Sequence, residues 1–119
     1  MAKTLDFNLF NQPTLPLVMC DAEHTPFTVT VPTEELVEEL EALAPNLNTI
    51  FKSDNPTAHD AVYKLAAKFI SCNLEGLQVT AEELKTKYWP KSRLTNQLYL
   101  LRFFSAYLDF INEIKEAKN

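Results

Sequence analysis

The sequence predicts a predominantly helical α+β fold: four to five helices behind a short N-terminal β-hairpin or extended arm. Three observations carry this reading. Leu98–Ile111 is apolar or aromatic at eleven of fourteen positions, and its exceptions, Arg102, Ser105 and Asp109, recur at steps of three and four. On a helix those three form one narrow polar stripe, so most of the cylinder must be covered. Residues 33–119 carry further apolar stripes at helical spacing, whereas residues 1–32 alternate and hold Pro13, Pro16, Pro26 and Pro32.

Taken in order, Leu5, Phe7 and Leu9 alternate with Asp6 and Asn8, a period of two. Thr14–Cys20 and Pro26–Val31 are strand-sized runs, confined by their prolines to edge strands or a loosely paired arm. Thr33 is a helix N-cap, with Glu34 and Glu35 in the first turn facing the dipole. Leu36, Val37, Leu40 and Leu43 form the buried stripe of that helix, which Pro45 ends. Asn46–Ser53 has room for one or two turns. A long helix over about Thr57–Asn73 presents Ala58, Val62, Leu65, Ala66, Phe69 and Ile70 on one face and stops between Asn73 and Gly76. Thr80 and Glu83 fit a capping box for a short helix, Ala81–Tyr88, closed by Pro90. Ser92 or Thr95 starts the last helix, which runs to about Ala117.

At 119 residues the chain reads as one domain, 1–119, with an arm (1–32) and a helical region (33–119). A chain this size buries roughly two thirds of its unfolded surface, enough for one core without staples. Apolar residues at 46% and charged residues at 23% exclude wholesale disorder. Gly76 is the only glycine, which excludes Gly-rich phosphate loops and dinucleotide fingerprints. The net charge of −5 divides into −8 over residues 1–60 and +3 over 61–119. Overall acidity argues against a nucleic-acid partner. The asymmetry predicts halves that attract each other within the fold, or head-to-tail between copies. Two cysteines are too few for a disulfide scaffold. No signal-like N-terminus or bilayer-length apolar run is visible, so a cytoplasmic protein with no membrane partner is expected.

Candidate chemistry is sparse. Cys20 and His24 have the spacing of half a metal site, but Cys72 and His59 lie thirteen apart on another element, so no metal or cofactor is expected. Cys20, Asp21 and His24 also suggest a nucleophile and base, yet such pairs usually meet from distant segments. Cys72 ends an apolar helix and reads as a small buried hydrophobe. Glu34, Glu35, Glu38, Glu39 and Glu41 read as a solvated face, with a basic partner surface as the functional alternative. Lys85, Lys87, Lys91 and Arg93 surround Tyr88 and Trp89. That pattern is either a strand-gripping patch or a helix corner anchored by its Trp, and the acidic chain favours the corner. No convergent acid, base and nucleophile set appears, so no enzymatic activity is expected.

The last helix has three apolar seams: Leu94, Leu98, Leu101 and Leu108; Leu100, Phe104, Tyr107, Ile111 and Ile114; and Tyr99, Phe103 and Phe110. One small domain covers two seams comfortably, and a third implies a dimer or a groove for another protein. The expected contact surface comprises Phe103, Phe104, Tyr107, Phe110 and Ile111, with Trp89, Phe7, Leu9 and Phe10 as secondary members.

In overall plan the chain resembles the small tail assembly chaperones of tailed bacteriophages infecting Gram-positive hosts. The likeness covers most of the chain. It rests on the extended Leu5-Asp6-Phe7-Asn8-Leu9-Phe10, the helix Asp60–Ile70, and the aromatic helix Leu100–Ile111 with its short charged tail. The resemblance implies a cytoplasmic, non-enzymatic protein of virion assembly. It would coat the long, helical, aggregation-prone tape measure protein and recruit tail tube subunits. It also implies a longer product made by ribosomal slippage, with which Ala117-Lys118-Asn119 is compatible. Two other readings stand beside it: a structural virion or scaffold subunit, and a small acidic regulator whose helix Thr33–Leu43 imitates nucleic acid.

Overall fold

Two prolines frame the sheet. β1 (Leu15–Val18) pairs antiparallel with β2 (Pro26–Val29), placing Leu15 opposite Val29 and Leu17 opposite Phe27. The computed structural model describes residues 13–53 and 55–116, so the alternating Leu5–Phe10 segment lies outside the described residues. The hairpin turn is held by polar bonds. The Met19 amide donates to the Thr25 carbonyl and the His24 amide to the Asp21 carbonyl, both at 3.0 Å. Asp21 accepts from the Thr25 hydroxyl and, at 2.8 Å, from the Thr25 amide. The Thr25 hydroxyl, above all, holds the Asp21 carboxyl below the usual range. His24 takes a positive φ of 50°. Cys20, Asp21 and His24 thus serve as turn chemistry.

Phe27 and Val29 point inward and are fully buried, while Thr28 and Thr30 use their backbone on the far edge of β2. The Thr30 amide donates to the Cys72 carbonyl at 2.8 Å, and the Leu74 amide to the Thr28 carbonyl at 3.0 Å. The Glu75 carboxylate closes this edge by accepting from the Thr28 amide at 2.7 Å and its hydroxyl at 2.8 Å. β1 lacks such a cover among the described residues. Pro16 faces outward on it, at a position where a missing N–H costs the ladder nothing.

The helices follow in the expected order. α1 (Glu34–Leu43) is capped by Thr33, whose hydroxyl accepts from the Leu36 amide. A 3₁₀ turn, Ala44–Asn46, carries Pro45 and leads into α2 (Leu47–Lys52). α3 (Pro56–Ile70) starts under an Asn55 cap with Pro56 in its first turn. It stops three residues short of Asn73 because the Asn73 side chain takes the Ile70 carbonyl at 2.7 Å and brackets Leu77 through both its amide atoms. Gly76 supplies the positive φ of 71° in the turn between them.

α4 (Ala81–Glu83) shows both bonds of the capping box between Thr80 and Glu83. It runs on as a π-helical turn, Leu84–Tyr88, in which the Trp89 amide reaches the Leu84 carbonyl at 2.9 Å. The sequence pattern predicts a plain helix here. The wider turn brings Leu84, Tyr88 and Trp89 all into the interior. α5 (Arg93–Glu116) spans 24 residues, about 36 Å, and Ser92 caps it through the Thr95 amide.

The core forms where α3 meets α5 and the hairpin. Val62, Ala66, Phe69 and Ile70 pack with Leu100, Phe104 and Tyr107, with Phe27, Val29, Leu40 and Leu84 closing the ends. Phe69 lies 4.3 Å from Tyr107 and 6.4 Å from Phe104, ring centre to ring centre. The Tyr107 hydroxyl is buried without a hydrogen-bond partner, and burial pushes its pKa well up.

Two outcomes are expected. Tyr107→Phe leaves stability unchanged or raises it, because an unpartnered buried hydroxyl costs about 1–3 kcal/mol; denaturant midpoints check this, and a loss above 1 kcal/mol would contradict the orphaned hydroxyl. The second concerns acid. Thr28 holds the Glu75 pKa below its ordinary value. Its stabilisation is therefore present above the unfolded carboxylate pKa and lost as pH falls through the folded value. Glu75→Gln should flatten part of that acid-side fall in the unfolding midpoint.

Candidate functional site

More apolar surface surrounds α5 than its neighbours cover, and the structure shows which side is left over. Phe103, Phe104, Tyr107, Phe110 and Ile111 are all buried, as is Trp89. The expected contact surface is therefore corrected: these residues are core of the single protomer. The four rings of Phe103, Phe104, Tyr107 and Phe110 are in contact: Phe103 lies edge-on to Phe104 at 5.3 Å and tilted to Tyr107 at 5.6 Å, and Tyr107 lies edge-on to Phe110 at 5.7 Å. Trp89 stands edge-on to Tyr99 at 5.8 Å and anchors the corner between the π turn and α5. Phe7, Leu9 and Phe10 lie outside the described residues.

The uncovered seam is the leucine one. Leu94 is 77% exposed and Leu98 47%, while Leu101 and Leu108 are half-buried. Arg102, Ser105 and Asp109 are exposed beside them, as their stripe predicts. That stripe was also the available signal for the leucines. It marks the outward side of the helix, and Leu94, Leu98, Leu101 and Leu108 flank it on the wheel, whereas the aromatic residues lie opposite.

Next to this face, an apolar groove of about 280 Å³ runs between β1 and α5. Leu17, Val18 and Met19 form one wall, Tyr99, Arg102, Phe103 and Ala106 the other, with Trp89 and Cys20 at one end. Phe103 and Trp89 thus reach a surface only through the floor of this groove. Val18, 70% exposed, stands at its lip. The Cys20 amide donates to the Tyr88 carbonyl at 2.9 Å and fixes the strand to the corner. The Cys20 thiol against the Tyr99 hydroxyl pushes that phenol's pKa up. Among the described residues the outer edge of β1 is open beside the groove, and Arg102 separates the groove from the leucine face.

A second, polar cavity of about 340 Å³ lies over His59, Tyr63 and Asn96, rimmed by Asp60, Lys85 and Lys91. The Asn96 side-chain oxygen is buried there with no hydrogen-bond partner among the described residues, whereas the imidazole and the carboxylate are engaged. His59 Nε2 lies 2.9 Å from the Ile50 carbonyl and 2.7 Å from that of Ser53, and Nδ1 lies 3.3 Å from the Gln97 amide nitrogen. Both ring nitrogens therefore tie α3 to the end of α2 and to α5. Asp60 pairs with Lys64 and Lys85 at 3.1 Å each, and these hold its carboxyl below the usual range. Burial pushes the Tyr63 phenol up, and Lys85 sits 4.8 Å over its ring. Lys87 likewise lies 5.1 Å over Tyr88. The basic–aromatic segment is thus a packed corner, with Lys87 over its own Tyr88 and Lys85 over Tyr63 of α3.

On α1 the glutamates face solvent, and Glu39 pairs with Lys68 at 3.2 Å. Among the described residues no three His, Cys, Asp or Glu side chains converge as a metal site, and no helix is long and apolar enough to cross a membrane.

Burial separates the two kinds of position experimentally. Phe103→Asp buries an unpaired charge and should unfold the protein. Leu98→Asp, at an exposed position of the protomer, should leave the chain folded with its helical spectrum unchanged. Circular dichroism with denaturant titration reads both, and a folded Phe103→Asp would contradict its interior placement. Compared with known proteins, the chain matches no family model, no curated sequence and no solved structure.

Proposed function

We propose that this protein is a non-enzymatic, cytoplasmic assembly factor that holds an apolar segment of another protein, as a phage tail assembly chaperone holds its tape measure client. The observation that carries the reading is the largely apolar groove between β1 and α5, beside a strand edge that no described residue covers. An extended client adds main-chain bonds to such an edge and seats alternate side chains in the groove; a helical client seats its apolar stripe there instead. The acidic exterior of α1 keeps a carrier of apolar surface dispersed. The polar cavity supports no rival catalytic reading, because its imidazole and carboxylate are committed to structural bonds.

Co-expression with a tape measure protein that pellets alone tests this. The client should stay in the supernatant with the wild-type chain and pellet with Val18→Glu, which places a charge at the groove's lip without touching the core. A client that pellets equally with and without the chain would defeat the proposal. Recovery of the protein from purified mature virions would favour the structural-subunit reading instead.

A further inference from the structure

The leucine face of α5 has its own pattern and meets the groove at Arg102, which lines both. Leu94, Leu98, Leu101, Ser105, Leu108 and Asn112 follow one another at steps of four, three, four, three and four. That is the spacing of a coiled-coil seam, an average period of 3.5; along it Leu94 and Leu98 are exposed, Leu101 is half-buried and Leu108 packs partly against the domain's own core. The seam's open flank carries Arg102, then Asp109 and Glu113, all exposed. None of the three forms an ion pair with another described residue.

The order of those charges is unfavourable within one helix. Asp109 and Glu113 repel each other at a spacing of four, and Glu113 sits near the negative end of the dipole. It becomes favourable against a reversed copy. An antiparallel two-fold packing sets each helix's open flank against the same flank of its partner, running the other way. With the axis within a turn of Ser105, Arg102 of each copy meets the Asp109 and Glu113 end of the other. The small Ser105 permits close approach at the crossing. A parallel pairing would instead bring the charged flank against the side of α5 that holds Phe104 and Ile111, which the domain already covers.

We infer that the occupant of this face is a second copy of the chain, and that the protein is a two-fold dimer built on antiparallel α5 helices. The inference goes beyond the client reading, which the groove supports separately.

Sedimentation equilibrium and charge reversal test it together. The wild-type chain should sediment at twice its chain mass at micromolar concentration. Leu98→Glu combined with Leu101→Glu should give a monomer with an unchanged helical spectrum. Arg102→Asp and Asp109→Arg should each raise the dimer Kd by roughly tenfold or more, because each makes the facing flanks alike in charge. The double variant Arg102→Asp/Asp109→Arg restores opposite charges across the axis and should recover dimerisation, and an equimolar mixture of the two single variants should form heterodimers. A wild-type monomer would overturn the inference. So would a double variant as weak as either single one, since only the antiparallel arrangement rescues it.

Discussion

The constraint on which the rest of this structure depends is the cover of α5's aromatic arc. Phe103, Phe104, Tyr107 and Phe110 lie on one side of a 24-residue helix and are buried mainly around α3. Each ring removes roughly 150–250 Å² from water, and at about 25 cal/mol per Å² that exceeds any single cap or surface ion pair severalfold. The smaller devices act on what the rings have already assembled. Asn73 and Ser71 staple the chain after α3, Glu75 fastens the hairpin, and His59 ties α2 to α3.

Charge plays a secondary, directional role. Glu39–Lys68 joins α1 to α3 and Asp60–Lys85 joins α3 to the π turn, whereas Asp60–Lys64 is an i, i+4 pair within α3. All are partly exposed, so each contributes little to stability. Glu39–Lys68 alone involves the acidic α1, and its effect is to favour one docking of that helix over others.

Local chemistry was the most legible part of the sequence. Thr33, Thr80 with Glu83, and Ser92 mark helix starts because caps are set by side-chain oxygens a few residues from the amides they satisfy. The hairpin was legible for the same reason, from alternation and proline placement. The π turn was not, because its cause is tertiary: Leu84, Tyr88 and Trp89 must all turn inward, and no local signal specifies that. The outward seam of α5 was misassigned to the aromatic residues. Periodicity shows how many apolar faces a helix has, whereas which one is covered depends on what packs against it. The polar stripe of Arg102, Ser105 and Asp109 held that information, and it points to the leucines. The groove was invisible in sequence because Leu17, Val18 and Tyr99 meet only through the fold.

Pro16 carries a consequence for how such a chain behaves in a crowded cell. A bare strand margin is a template on which further strands can stack without limit, growing towards fibres. With the pyrrolidine ring in place of a hydrogen-bond donor midway along β1, any incoming strand meets a gap in the ladder. One guest can still be tolerated, but indefinite copying is interrupted at the first layer. A protein with so much oily exterior can therefore accumulate to high levels without seeding its own precipitation.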